Sequence, residues 1–182
     1  MTMTSTVRAG TGDRSRFLVA VVFLVFFVIS FLTNILGPLI PDIIADFHVS
    51  LTMAAILPFA FFIAYGVMSI PAGFAVQRWG EKKPMVASFV AATLGAASFA
   101  SFPTYSMAVT SLFVIGAGMA VLQVAINPLL RVAGGEENFA FNSAFAQLIF
   151  GAASFVSPLV YSDLVRHLGP AHPDLKGLYA AL

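Results

Sequence analysis

The side chains with chemistry to offer in this sequence's apolar stretches are amides, and they recur at helical spacing. Gln123 and Asn127 are four residues apart, with Pro128 directly after. Ser30, Asn34, Gly37 and Pro41 step by four, three and four, which puts them on one face of a helix. Ser143, Gln147, Gly151, Ser154 and Pro158 step by three or four as well, with Asn142 beside the first. An amide donates and accepts hydrogen bonds without carrying charge, so such a set can hold the hydroxyls of a neutral polyol. It cannot run acid–base catalysis, which needs a titratable group beside the reacting atom. The stretches that carry these amides contain no Asp, Glu, Lys, Arg or His, and His48, His167 and His172 fall outside them. The absence of cysteine removes a thiol nucleophile, a disulfide frame and a Cys-based zinc site. The expectation is a binder of a neutral solute, not an enzyme, with no metal and no cofactor.

The elements that must position these groups follow from the charges. The chain is 59% hydrophobic and 9% charged, with a net charge of +1, against about 25% charged residues in soluble domains. No basic block marks a nucleic-acid partner. The partner implied is a lipid bilayer. A helix crosses a hydrocarbon core of about 30 Å with about 20 residues, and the uncharged stretches divide into spans at about 17–41, 50–77, 84–102, 107–130 and 139–162. Residues 1–16 read as a cytoplasmic tail. A polar loop runs from Asp163 to Lys176, and 177–182 looks like the first turns of a sixth span, as in the N-terminal portion of a longer protein.

Lys and Arg favour cytoplasmic loops. Arg8, Arg14, Arg16, Arg78, Lys82, Lys83 and Arg131 fall on one side, against Arg166 and Lys176 on the other. Seven against two puts the N-terminus in the cytoplasm and the Asp42–Ser50 loop outside. The first apolar stretch is too long for a cleaved signal peptide, and no small-residue cleavage site follows it.

Each polar stripe has a packing reading beside the binding one. Gly66, Ser69 and Gly73 read as a seam where membrane helices approach closely. Ser143, Gly151 and Ser154 read as packing too. Gln123 and Asn127 read as cavity lining, because an unbonded amide in hydrocarbon costs several kcal/mol. Asn34 fits either a cavity or an interhelical hydrogen bond. Pro38, Pro41, Pro58, Pro71, Pro128 and Pro158 bend or break their helices, as transporters that rock around a midplane site require.

Two segments carry a resemblance. Gly73-Phe-Ala-Val-Gln77-Arg78-Trp-Gly80-Glu-Lys82-Lys83 is similar to the loop between the second and third helices of the major facilitator superfamily, with Gln77 in place of the usual acid. Gln123-Val-Ala-Ile-Asn127-Pro128 resembles the fourth helix of that superfamily's fucose–proton symporter and glucose/galactose transporter branch. With the terminal proline of the first helix aligned, the branch's aspartate falls on Gly37, and the fourth-helix acid of fucose permease falls on Gln123. The resemblance implies an all-α membrane fold of two six-helix halves, each built from inverted three-helix repeats, of which this chain is the N-terminal bundle. It implies transport of a small neutral, sugar-like solute through a cavity bearing Asn34, Gln123 and Asn127, with Gln147 and Asn142 behind. Completion would come from a missing C-terminal bundle or a second copy. The alternatives are efflux of an amphiphile, which 19 Phe would suit, and a scaffold subunit that transports nothing.

Overall fold

The computed structural model describes residues 9–168, with side chains from 15 to 167. Residues 1–8, the loop beyond 168 and the expected sixth-span start at 177–182 lie outside the described residues. Six α-helices follow in order: α1 (Ala9–Asn34), α2 (Leu36–Phe47), α3 (Leu51–Trp79), α4 (Lys82–Ser101), α5 (Tyr105–Gly134) and α6 (Phe139–Leu168). Among the described residues five segments are long and apolar enough to cross a bilayer, α1 and α2 together making the first.

The helices outrun the spans read from hydropathy. The expected loop beginning at Asp42 is helical to Phe47, and the expected loop at Asp163 is helical to Leu168, so His167 sits in a helix rather than a loop. Hydropathy marks the hydrocarbon boundary, whereas the α5 and α6 helices of 30 residues each reach about 45 Å at 1.5 Å per residue. Their charged ends project past a core of about 30 Å. The break in the first span lies at Ile35. Pro38 has no N–H to offer the Asn34 carbonyl, and the next bond, from the Leu39 N–H to the Ile35 carbonyl, is stretched to 3.4 Å.

Helix α5 is the hub, packing most extensively on α3 and α4 and also on α1. Gly116 allows the α3 approach: a Cβ there would overlap the Phe61 carbonyl oxygen and lie 3.1 Å from its Cα. On the opposite side of α5, a Cβ on Gly118 would meet the Ser88 carbonyl of α4 at 3.0 Å. Gly66 and Gly73, expected to form a seam, have nothing within 4 Å of a Cβ among the described residues. Their stripe on α3 points away from α5, and the close approach is made from the α5 side instead. Phe26, Ile29, Phe61, Leu122 and Ile126 form one buried cluster, while Ile35, Leu39, Ile43, Leu57 and Tyr161 form a second toward the His48 end.

Buried hydroxyls join α1 to α6 by adding a second hydrogen bond to helix carbonyls; the Phe31 carbonyl also accepts the Ile35 N–H at 3.1 Å. Ser30 donates to the Phe150 carbonyl at 2.6 Å and Ser157 to the Phe31 carbonyl at 2.8 Å. At one end the Tyr161 hydroxyl donates to Asp42 Oδ2, and at the other Ser15 donates to the Ala133 carbonyl.

Candidate functional site

Gln123 and Asn127 occupy successive turns of α5, on the edge that neither α4 nor the Phe26 cluster covers. Asn127 is exposed and donates Nδ2 to the Gln123 backbone carbonyl at 3.1 Å, which leaves its Oδ1 free. Gln123 is half-buried, and its side-chain amide has no hydrogen-bond partner among the described residues. Pro128 lies inside α5 and cannot donate to Val124, so that carbonyl lacks its helical partner next to the two amides.

Gln147 on α6 is exposed, and its amide is also unpartnered among the described residues. Its neighbour Ala146 is buried in the same cluster as Leu122, the neighbour of Gln123, and Phe26 of α1. Ser15 of α1 bonds Ala133 of α5 and Ser30 bonds Phe150 of α6, and counting along the helices from those contacts puts both glutamines level with residues 25–27 of α1, at about the same depth.

The remaining candidates are placed elsewhere. Asn34 is half-buried where α1 breaks, and its Nδ2 donates to the Ser30 carbonyl at 2.8 Å and to Ser30 Oγ at 3.3 Å. Of the two roles open to it, the interhelical bond is made by Ser30, and Asn34 buttresses that serine within its own helix. Asn142 packs against Gly134 in a cavity of about 400 Å³ at the Gly80 end, together with Ser15, Arg16, Asn138 and Phe141. No hydrogen bond joins amides of different helices among the described residues. The five candidates thus form a central pair at Gln123 and Asn127, one residue level with it at Gln147, and two outliers toward the bundle ends. Sequence reasoning passed over the serines that fix α1 to α6. Ser30 had been placed on the Asn34 stripe, but Ser157 carried no spacing signal, since its partner is a backbone carbonyl on a distant helix.

The turn between α3 and α4 is built by Gly80, whose φ of 73° is in the left-handed region and whose N–H caps the Val76 carbonyl at 2.9 Å. A side chain is strained there. Gln77 and Arg78 end α3, and Lys82 and Lys83 open α4. All four are exposed and make no ion pair among the described residues.

A family model described as Major Facilitator Superfamily matches residues 22–171. The chain is 32% identical over 145 residues to a glucose/galactose transporter of Brucella abortus, covering 78% of this chain and 35% of that protein. It is 30% identical over 132 residues to the L-fucose-proton symporter of Escherichia coli, covering 70% of this chain and 30% of that protein. The crystal structure of the transporter FucP in the outward conformation superposes with a TM-score of 0.68 at 26% identity, covering 88% of this chain and 39% of that one. The chain therefore spans about a third of the length of the relatives it matches.

Proposed function

The chain belongs to the major facilitator superfamily, and on that premise we propose that it is the N-terminal bundle of a secondary transporter for a small neutral sugar. The observation that carries this is the pair of amides, Gln123 and Gln147, unpartnered among the described residues and at one depth in the helical bundle. An amide left unmatched at membrane depth costs several kcal/mol unless water or a solute meets it. A sugar offers hydroxyls that both donate and accept, which is the complement of an amide. Asn127, with its Oδ1 free, extends the same surface by a turn. Asn34 and Asn142 lie toward the two ends of the path.

The relatives named for glucose, galactose and fucose support a hexose as the solute class. Gly37 and Gln123 stand where acids were aligned, so this bundle puts no carboxylate at either position, and solute recognition by it is uncharged. Alternating access would rock this bundle against a second one. The Gly73–Lys83 segment, with Gln77, Arg78, Gly80, Lys82 and Lys83, would act as the hinge-side loop of that motion. The distribution of Lys and Arg favours a cytoplasmic N-terminus in a bacterial-type inner membrane, with the Gly80 end facing the cytoplasm. The chain has no enzymatic role in this reading.

The test is counterflow by the full-length protein in proteoliposomes. Saturable exchange of a neutral hexose, blocked by unlabelled hexose, is the expected result. Exchange of amphiphilic cations alone would replace the sugar reading with efflux, and no exchange of any solute would favour a scaffold.

A further inference from the structure

We propose that the groove between α3 and α4 at the Gly80 end binds one anionic phospholipid, its acyl chain in the groove and its phosphate at Lys83. The groove is about 520 Å³, with Trp79 and Lys83 at its mouth. Met68 and Ala75 of α3 form one wall, Ala87 and Ala91 of α4 the other, and α5 the floor. Ser88 is the one hydroxyl in the lining, and it donates to the Pro84 carbonyl at 2.7 Å. The interior therefore has no free side-chain hydroxyl or amide to offer a sugar, and it suits an apolar occupant.

The depth of the groove fits a lipid tail. Met68 lies eleven residues before Trp79 on α3, about 16 Å at 1.5 Å per residue. Half of a hydrocarbon core of about 30 Å is about 15 Å, so the groove runs from the interface to the midplane, one leaflet deep. A helix about 10 Å across and that long would fill about 1,300 Å³, more than twice the groove. The floor is closed where Gly118 of α5 meets the Ser88 carbonyl of α4. A single acyl chain is narrow enough to enter.

The mouth supplies the match for a headgroup. The six residues Arg78–Lys83 carry three positive charges against the one negative charge of Glu81. None of the four charged side chains forms an ion pair among the described residues. Helix α4 opens there with no side-chain cap, and its positive dipole end also favours an anion. Trp79 is 57% exposed, and tryptophan settles at headgroup level. Lysine and arginine beside a span draw anionic lipids. The charge balance thus selects a headgroup of net negative charge, such as phosphatidylglycerol, over phosphatidylcholine. The leaflet is the cytoplasmic one under the orientation proposed above, and the inference holds whichever solute is carried.

The test places the full-length protein in phosphatidylcholine nanodiscs doped with phosphatidylglycerol that carries a diazirine midway along one acyl chain. After irradiation, mass spectrometry maps the adducts. They should concentrate on Met68, Ala75, Ala91, Phe113 and Val121, and unlabelled phosphatidylglycerol should compete where added phosphatidylcholine does not. Lys82→Gln and Lys83→Gln change exposed side chains, and each should raise the phosphatidylglycerol needed for half-maximal labelling by roughly fivefold. Ala87→Trp should fill the groove and abolish labelling there alone; should that variant fold poorly, the unmodified protein and the lysine variants still decide. Adducts spread evenly over the outward faces of the helices would overturn the proposal. So would a groove that stays unlabelled, or equal competition by phosphatidylcholine.

Discussion

Gly116 sits where α5 crosses α3, and its missing side chain is what lets the two backbones meet. Gly116→Val would drive a branched side chain into the Phe61 carbonyl. Overpacking of this kind costs about 1–3 kcal/mol or more, so the thermal midpoint of the detergent-solubilised protein should fall, and an unchanged midpoint would mean that the crossing is looser than described. Under the proposed function Gln123 acts on the ligand instead. Removing its amide leaves a sugar hydroxyl unmatched, so Gln123→Ala or Asn127→Ala should weaken sugar binding by about 1–3 kcal/mol with little loss of stability. Equal affinity in both variants, measured by calorimetry, would take α5 out of the binding surface. At this scale the sequence was legible where residues act within one helix. The Gln123–Asn127 pair was visible from spacing, but the Gly116–Phe61 contact joins positions far apart in the chain and leaves no periodic mark. The Gly66–Gly73 stripe left such a mark and met no neighbour among the described residues.

Two elements are shaped by one backbone feature each. The first span breaks between α1 and α2 because Pro38 withholds the bond that would close over Asn34. Pro38→Ala restores that donor, so the variant should be more thermally stable, and transport should slow if the break is a working joint. Faster or unchanged transport would make the break a packing feature. The α3–α4 turn rests on the left-handed Gly80. Gly80→Val should impair transport more than expression, and equal loss of both would give the turn a folding role alone. Helix number and order could be read from the charges, because charges interrupt hydrocarbon. Helix ends could not: Asp42, Asp163 and His167 lie beyond the hydrocarbon, where water permits charge and the helix continues regardless.

As a whole molecule, the bundle packs α3, α4 and α1 on α5 and α6 mainly on α1, with the amide edge of α5 uncovered. A second bundle has to close that edge for a solute to be enclosed, so the 182-residue chain reconstituted alone should show no saturable uptake, and uptake by it would favour a pair of copies. Orientation is checked by cysteines at Ser15, Glu81 and Glu137, expected to resist a membrane-impermeant thiol reagent in intact cells, and at Asp46, expected to react. The central claim is that Gln123 and Asn127 face a solute path and not lipid. The most direct measurement is alkylation of Gln123→Cys and Asn127→Cys, each in the otherwise cysteine-free full-length protein in membranes, by a water-soluble maleimide with and without hexose. Both cysteines should react, and hexose should slow the reaction. Cysteines that stay unreactive, or that react at the same rate whether or not sugar is present, would contradict the account.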